Sequence, residues 1–197
     1  DYPAISKNNM KTYDYWYWNS VFNKKQIKKI NSFVLKNYDS LESPERGAHD
    51  TRGKPLKSSS VKVIAWNKIK PLLFDLQNRL YYINREHFGY NLYPKEDMSG
   101  CLFNVYCEKN KGGYGWHYDE SSNLCTDIKL TIIINLSDKK YEGGQLELFR
   151  NEPMLIKELN KPGSVVMFKS AISHRVLPVI KGERKTLVFF MEGPNFK

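Results

Sequence analysis

Leu102-Phe-Asn-Val-Tyr-Cys107, followed by the pair Gly112-Gly113 and then Gly115-Trp-His-Tyr-Asp119, is the stretch on which the architecture of this chain turns. The first run is rich in β-branched and aromatic residues and reads as a strand, and the glycine pair reads as a turn. The same texture recurs downstream. Ile128–Leu136, Gln145–Phe149, Ser164–Phe168 and Lys185–Met191 are strand-like, and Gly143-Gly144 and Pro162-Gly163 punctuate them. Many short strands preceded by helices predict a mostly β fold with supporting α-helices, a β-sandwich or jelly roll.

Upstream of this β-rich half the pattern is different. Tyr13-Asp-Tyr-Trp-Tyr-Trp18 alternates as a strand with aromatic residues on both faces, read as core. Asn23 is placed to cap a helix whose stripe is Ile27, Ile30 and Val34. A second helix is expected over 69–83, from Ile69, Leu72, Leu73, Leu76, Leu80 and Ile83, with Pro71 in its first turn. Between the two helices, residues 39–60 are polar and rich in Ser, Gly and Pro. They read as a mobile loop, either an inert connection or a lid. No linker composition separates 1–100 from 101–197, so a single domain over 1–197 is expected.

The bulk composition fits that expectation. The chain has 197 residues with 41% hydrophobic and 26% charged content, enough for one domain with a real core. No apolar stretch approaches bilayer length, so no membrane partner is expected. Cys101, Cys107 and Cys125 are odd in number and form no CxxC pair, which points to reduced thiols in a cytoplasmic protein. The net charge of +10 is scattered, and its densest cluster, Lys24-Lys-Gln-Ile-Lys-Lys29, reads as the solvated face of a helix.

Chemistry enters with His117 and Asp119. Residues two apart on a strand share a face, so an imidazole and a carboxylate at this spacing can grip one metal ion. His174, from another strand, completes two histidines and one carboxylate, a set that leaves coordination positions open and is used by non-haem iron(II) oxygenases. Arg184, ten residues beyond His174, is placed to hold the far carboxylate of a chelating keto-acid. His49 and His87 have no such company, and His49 and Asp50, being adjacent, would face opposite ways.

The motifs resemble those of the iron(II)/2-oxoglutarate-dependent dioxygenases of the prolyl 4-hydroxylase (PKHD-type hydroxylase) family. The likeness runs from the first helix to near the C-terminus and is most specific between Phe103 and Phe190. Phe103-Asn-Val-Tyr106 through His117-Tyr-Asp119, Leu130-Thr-Ile-Ile-Ile-Asn135, Tyr141-Glu-Gly-Gly144, Lys161-Pro-Gly-Ser-Val-Val-Met-Phe168 and His174 to Arg184 carry it. The resemblance implies a double-stranded β-helix (jelly-roll) core in which His117, Asp119 and His174 bind Fe(II) and Arg184 pairs with 2-oxoglutarate. It also implies that Tyr106 and Asn135 belong to the co-substrate pocket and that Tyr114 lines the substrate entrance. Asn135 departs from a tyrosine found in some relatives, and Phe190 from a tryptophan found in many. The implied reaction consumes O2 and 2-oxoglutarate, releases succinate and CO2, and hydroxylates an unactivated C–H, with ascorbate as a candidate reductant. A prolyl residue of a peptide or protein is the first expected substrate, in a dry pocket lined by Ile133, Val176 and Leu187.

Three other readings fit the same residues. A nucleic-acid demethylase would suit the positive charge, but Phe190 stands where those enzymes carry a second arginine. A hydroxylase of a free amino acid or small metabolite is the next. A metal-bearing β-roll binding module is the third, although structural zinc is normally closed by four protein ligands. The ligand set suits Fe(II), and Mn(II) or Ni(II) can occupy it too.

Overall fold

Two facing sheets arise from alternating strands, and the computed structural model describes them through residues 13–39, 41–42, 49–120 and 125–195. The larger sheet runs β1 (Tyr15–Trp18), β11 (Val165–Lys169), β7 (Thr126–Asn135), β14 (Glu183–Pro194), β5 (Gly100–Cys107), β4 (Ser60–Ala65), β2 (Leu41–Glu42). The smaller runs β10 (Glu152–Leu155), β9 (Leu146–Arg150), β12 (His174–Val176), β6 (Gly113–His117), β3 (Lys57–Ser58). β13 (Val179–Lys181) pairs with β8 (Glu142–Gly143) at one end, and every neighbouring pair is antiparallel. This is the jelly roll that the sequence leads one to expect.

Register decides which residues meet. Leu187 of β14 lies opposite Ile134 of β7 and Phe103 of β5, and this row packs toward the helices. Its neighbour Val188 lies opposite Ile133 and Leu102, and this row faces the smaller sheet. Leu187 was expected to line the pocket; it sits instead in the helix-side core, because side chains one residue apart on a strand take opposite faces. Burial of each such side chain stabilises the fold by about 1.5–3 kcal/mol.

The helices cover the outer face of the larger sheet. Helix α1 (Lys24–Asn37) starts at the predicted cap: Asn23 Oδ1 accepts from the Gln26 amide at 3.0 Å, and Gln26 Oε1 accepts from the Asn23 amide at 2.9 Å. Its stripe Ile27, Ile30 and Val34 is buried, and Asn31 Nδ2 donates to the Leu136 carbonyl at 2.9 Å, tying the helix to the end of β7.

Two expectations are corrected here. The second helix is not continuous over 69–83. It is split into α2 (Trp66–Ile69), a 3-10 turn at Lys70–Leu72 and α3 (Leu76–Ile83). Pro71 can donate no helical hydrogen bond, and Phe74 takes a left-handed φ of 53°, which ends one helical path before the next begins. The segment 39–60 is not a loop throughout: β2 and β3 lie in it, and Lys57 and Ser59 are buried. Residues 40 and 43–48 of the predicted lid lie outside the described residues. Among the described residues no helix is long and apolar enough to cross a membrane.

Candidate active site

His117 closes β6 and His174 opens β12, and the two are register partners across that strand pair. Asp119 follows two residues beyond His117. One ligand atom from each of the three lies within 4.8 Å of the others. Both rings are fixed by the same local device. His117 Nδ1 lies 2.8 Å from the Gly115 carbonyl and His174 Nδ1 3.0 Å from the Ile172 carbonyl, in each case two residues back. An Nδ1–H donated to a carbonyl leaves the Nε2 lone pair free to ligate. The two Nε2 atoms point at Asp119, 3.8 Å from Oδ1 for His117 and 3.3 Å from Oδ2 for His174.

The protonation states suit a metal. Burial, with His174 beside it, pulls His117 down to about 4, so the ring is neutral at physiological pH. Burial alone would raise the Asp119 carboxyl, but the hydrogen bond and charge of His174, the charge of His117 and the Thr131 hydroxyl carry it below its ordinary value. Thr131, on the opposite sheet, donates its hydroxyl to Asp119 Oδ2 at 2.7 Å and lies 2.9 Å from Ser170 Oγ. Two imidazole Nε2 atoms and one carboxylate fit a hard-to-borderline divalent ion such as Fe(II), with positions left for other ligands.

A cavity of about 200 Å³ opens beside the triad, lined by Leu102, Ile133, Val176, Val188 and Phe190 with Asn104, Tyr106, Tyr114, Thr131 and Lys57. Tyr114 stacks on His117 with ring centroids 3.5 Å apart. Tyr106 is buried, which pushes its phenol above the usual range, and the Arg184 guanidinium lies 5.5 Å from its ring. Arg184 itself is 2% exposed, and among the described residues its Nη2 has no hydrogen-bond partner. Two residues along the same face of β14, the Thr186 hydroxyl is also buried without a partner. A buried guanidinium beside a spare hydroxyl is a costly arrangement unless an anion completes it. Gly144 makes room for it: at its φ of 67° a Cβ would come within 2.9 Å of Arg184 Cδ.

The sequence-predicted residues divide accordingly. His117, Asp119 and His174 converge, Tyr106 and Tyr114 line the adjoining cavity, and Arg184 lies behind Tyr106. Ile133 and Val176 line it as expected. Asn135 does not join the cavity lining, and its amide is committed elsewhere. Its Nδ2 donates to the Leu159 carbonyl at 2.8 Å and to Tyr141 Oη at 3.1 Å, and its Oδ1 accepts from the Ser137 amide at 2.9 Å. These bonds hold the strand end and its turn. His49 is exposed, and His87 stacks on Trp16 at 4.5 Å. Thr131, Thr186, Asn104 and Lys57 were missed. Thr186 was within reach of the alternation rule applied from Arg184; Lys57 had no local signal, since only the pairing of β3 with β6 brings it in.

A jelly roll carrying two histidines on its smaller sheet, with a carboxylate two residues past one of them, defines a class, and comparison with known proteins shows what the chain is similar to. Residues 101–192 match the 2OG-Fe(II) oxygenase superfamily. That segment holds all three ligand candidates and Arg184. A PKHD-type hydroxylase of Teredinibacter turnerae is 35% identical over 85 residues, 40% of this chain and 37% of that protein. One from Pseudoalteromonas atlantica is 27% identical over 132 residues, 62% of this chain and 56% of that protein. The matched stretches thus span between about a third and somewhat over half of these curated relatives. In fold, the chain is similar to a Pseudomonas putida prolyl-4-hydroxylase, with a TM-score of 0.67, 17% identity and coverage of 93% and 95% of the two chains. It is also similar to a Trichoplax adhaerens prolyl hydroxylase solved with a hypoxia inducible factor peptide fragment, with a TM-score of 0.66, 17% identity and coverage of 93% and 86%.

Proposed function

We propose that this protein is an Fe(II)- and 2-oxoglutarate-dependent dioxygenase that hydroxylates an unactivated C–H, with a prolyl residue of a peptide or protein as the favoured substrate class. The observation that carries the reading is the pairing of the His117–Asp119–His174 triad with the unsatisfied donors of Arg184 and Thr186. The prolyl assignment rests on the likeness to PKHD-type and prolyl 4-hydroxylases. The overall change is substrate C–H plus O2 plus 2-oxoglutarate to substrate C–OH plus succinate plus CO2.

In this reading His117 and His174 donate through Nε2 and Asp119 through a carboxylate oxygen, and Fe(II) held there supplies the oxygen chemistry. Arg184 and Thr186 receive the far carboxylate of 2-oxoglutarate, with Tyr106 beside them; the planar guanidinium suits a bidentate contact. Ile133, Val176, Val188 and Phe190 keep water from the reacting centre. Tyr114, flat against His117, forms the wall against which the substrate group rests. Three cysteines with no CxxC pair suit a reducing cytoplasm.

Anaerobic titration of the metal-free protein with Fe(II) and 2-oxoglutarate tests the reading. A visible charge-transfer band should need both additions and vanish in His174→Ala. Arg184→Ala should require far more 2-oxoglutarate to reach it. A folded wild-type protein that binds metal tightly and gives no band would sink the oxygenase and promote a binding module. With the band in hand, succinate release on prolyl peptides, free amino acids and methylated oligonucleotides ranks the substrates.

A further inference from the structure

Among the described residues Lys57 is the one lysine or arginine in the cavity lining, and nothing in the reaction as described uses it. It lies on the edge strand β3, opposite Tyr114 of β6, and is only 5% exposed. Its ammonium sits 5.3 Å from the centre of the Tyr114 ring, on the side of the cavity where that tyrosine stacks against His117. Among the described residues it forms a single hydrogen bond, from Nζ to Asn104 Oδ1 at 2.6 Å, and no ion pair. Asn104 is itself held by a bond from Nδ2 to the Leu102 carbonyl at 3.1 Å, so its oxygen is fixed toward Lys57. An ammonium has three donors, and one neutral amide oxygen satisfies only one of them.

Burial pulls the Lys57 ammonium down to about 8 and the charge of Asp119 favours it, but the two form no ion pair. Asp119 faces the two histidines and accepts from Thr131, and a divalent ion in the triad would claim its charge. The far carboxylate of the co-substrate is matched by Arg184 and Thr186, on β14 of the larger sheet. Lys57 is left as a buried, positively charged group on the wall where a substrate would lie, and a buried charge is kept only where a partner completes it.

We infer that Lys57 is a specificity-determining residue that receives a carboxylate of the substrate, so that the group hydroxylated lies close to an ionised carboxylate. This rests on the oxygenase reading and narrows it. The carboxylate belongs to a free amino acid, to the C-terminus of a peptide or to an acidic side chain beside the target residue. A neutral mid-chain residue leaves Lys57 unmatched.

The test uses protein loaded with Mn(II) and 2-oxoglutarate without oxygen, and matched carboxylate and amide probes. These are proline and prolinamide, acetyl-Gly-Pro and its amide, and acetyl-Asp-Pro-Gly-amide with its Asn counterpart. Broadening of the proline ring proton resonances by Mn(II) reports binding beside the metal. For at least one pair the carboxylate should bind at least about tenfold tighter than its amide, roughly the 1.4 kcal/mol expected of a charge-assisted contact. The pair that discriminates identifies the source. Lys57→Met should abolish that preference, Lys57→Arg should keep part of it, and the affinity for 2-oxoglutarate should stay unchanged in both. Equal binding of every carboxylate and its amide by wild type overturns the inference. So does a Lys57→Met variant that keeps the preference, or that loses 2-oxoglutarate instead. The Fe(II)–2-oxoglutarate band, recorded beforehand, reports the oxygenase reading separately: without the band that reading fails, and with the band but no carboxylate preference only the role of Lys57 fails.

Discussion

Replacing Thr131 with valine removes one buried hydroxyl and little volume, and it should weaken metal binding without unfolding the protein. The hydroxyl donates to Asp119 Oδ2 at 2.7 Å; Thr131 is fully buried and Asp119 half-buried. A hydrogen bond to a charged acceptor contributes about 1.5–3 kcal/mol, and a partner that orients a metal ligand is worth about 10–100-fold in affinity. The two estimates agree, since about 1.4 kcal/mol is one decade. Without its donor, the carboxylate is also freer to rotate away from the two Nε2 atoms. Ser170 Oγ, 2.9 Å from the same hydroxyl, loses a partner too, so some stability should go with it. Isothermal titration with Mn(II), beside circular dichroism spectra of the folded protein, reads the effect. Thr131→Ser, which keeps the hydroxyl, should restore most of the affinity. A folded Thr131→Val protein that binds Mn(II) within twofold of wild type would refute the reasoning, because Asp119 would then be held by something other than Thr131.

Further outcomes follow from the same geometry. Gly144→Ala should destabilise the fold by about 1–3 kcal/mol, through strain at its φ of 67° and the push on Arg184, and should weaken 2-oxoglutarate binding more than metal binding; equal loss of both would point to general unfolding. Asn135→Ala should lower the denaturation midpoint by removing three bonds around Leu159, Tyr141 and Ser137 while leaving 2-oxoglutarate affinity nearly intact. A large loss of co-substrate affinity at unchanged stability would return Asn135 to the pocket. The metal-free protein should lose stability on acidification. His117 titrates at about 4 when folded and near 6.5 when unfolded, so between those values the unfolded chain binds more protons and stability falls as pH drops. The loss amounts to about 2 kcal/mol by pH 5. Urea unfolding at pH 7 and pH 5 should show this in wild type and less of it in His117→Gln; equal slopes would mean that the ring is not held neutral.

The sequence by itself determined the main strands of the β-rich half and the two-residue spacing of His117 and Asp119, because these are written in local periodicity and short spacing, and it offered His174 and Arg184 as their companions. Asn23 and the stripe of α1 were legible for the same reason. Other features were decided only when distant segments met. Thr131 reaches Asp119 from the opposite sheet, and Lys57 enters the cavity from an edge strand that looked like polar loop. Leu187 and Val188 are both apolar, and only the register of β14 between β7 and β5 says which faces the site. The helix expected over 69–83 broke at a left-handed Phe74, where packing overrode the helical pattern. A strand's period fixes which residues share a face, but which face meets the metal, and which buried cation meets the substrate, depends on pairings between residues far apart in the chain.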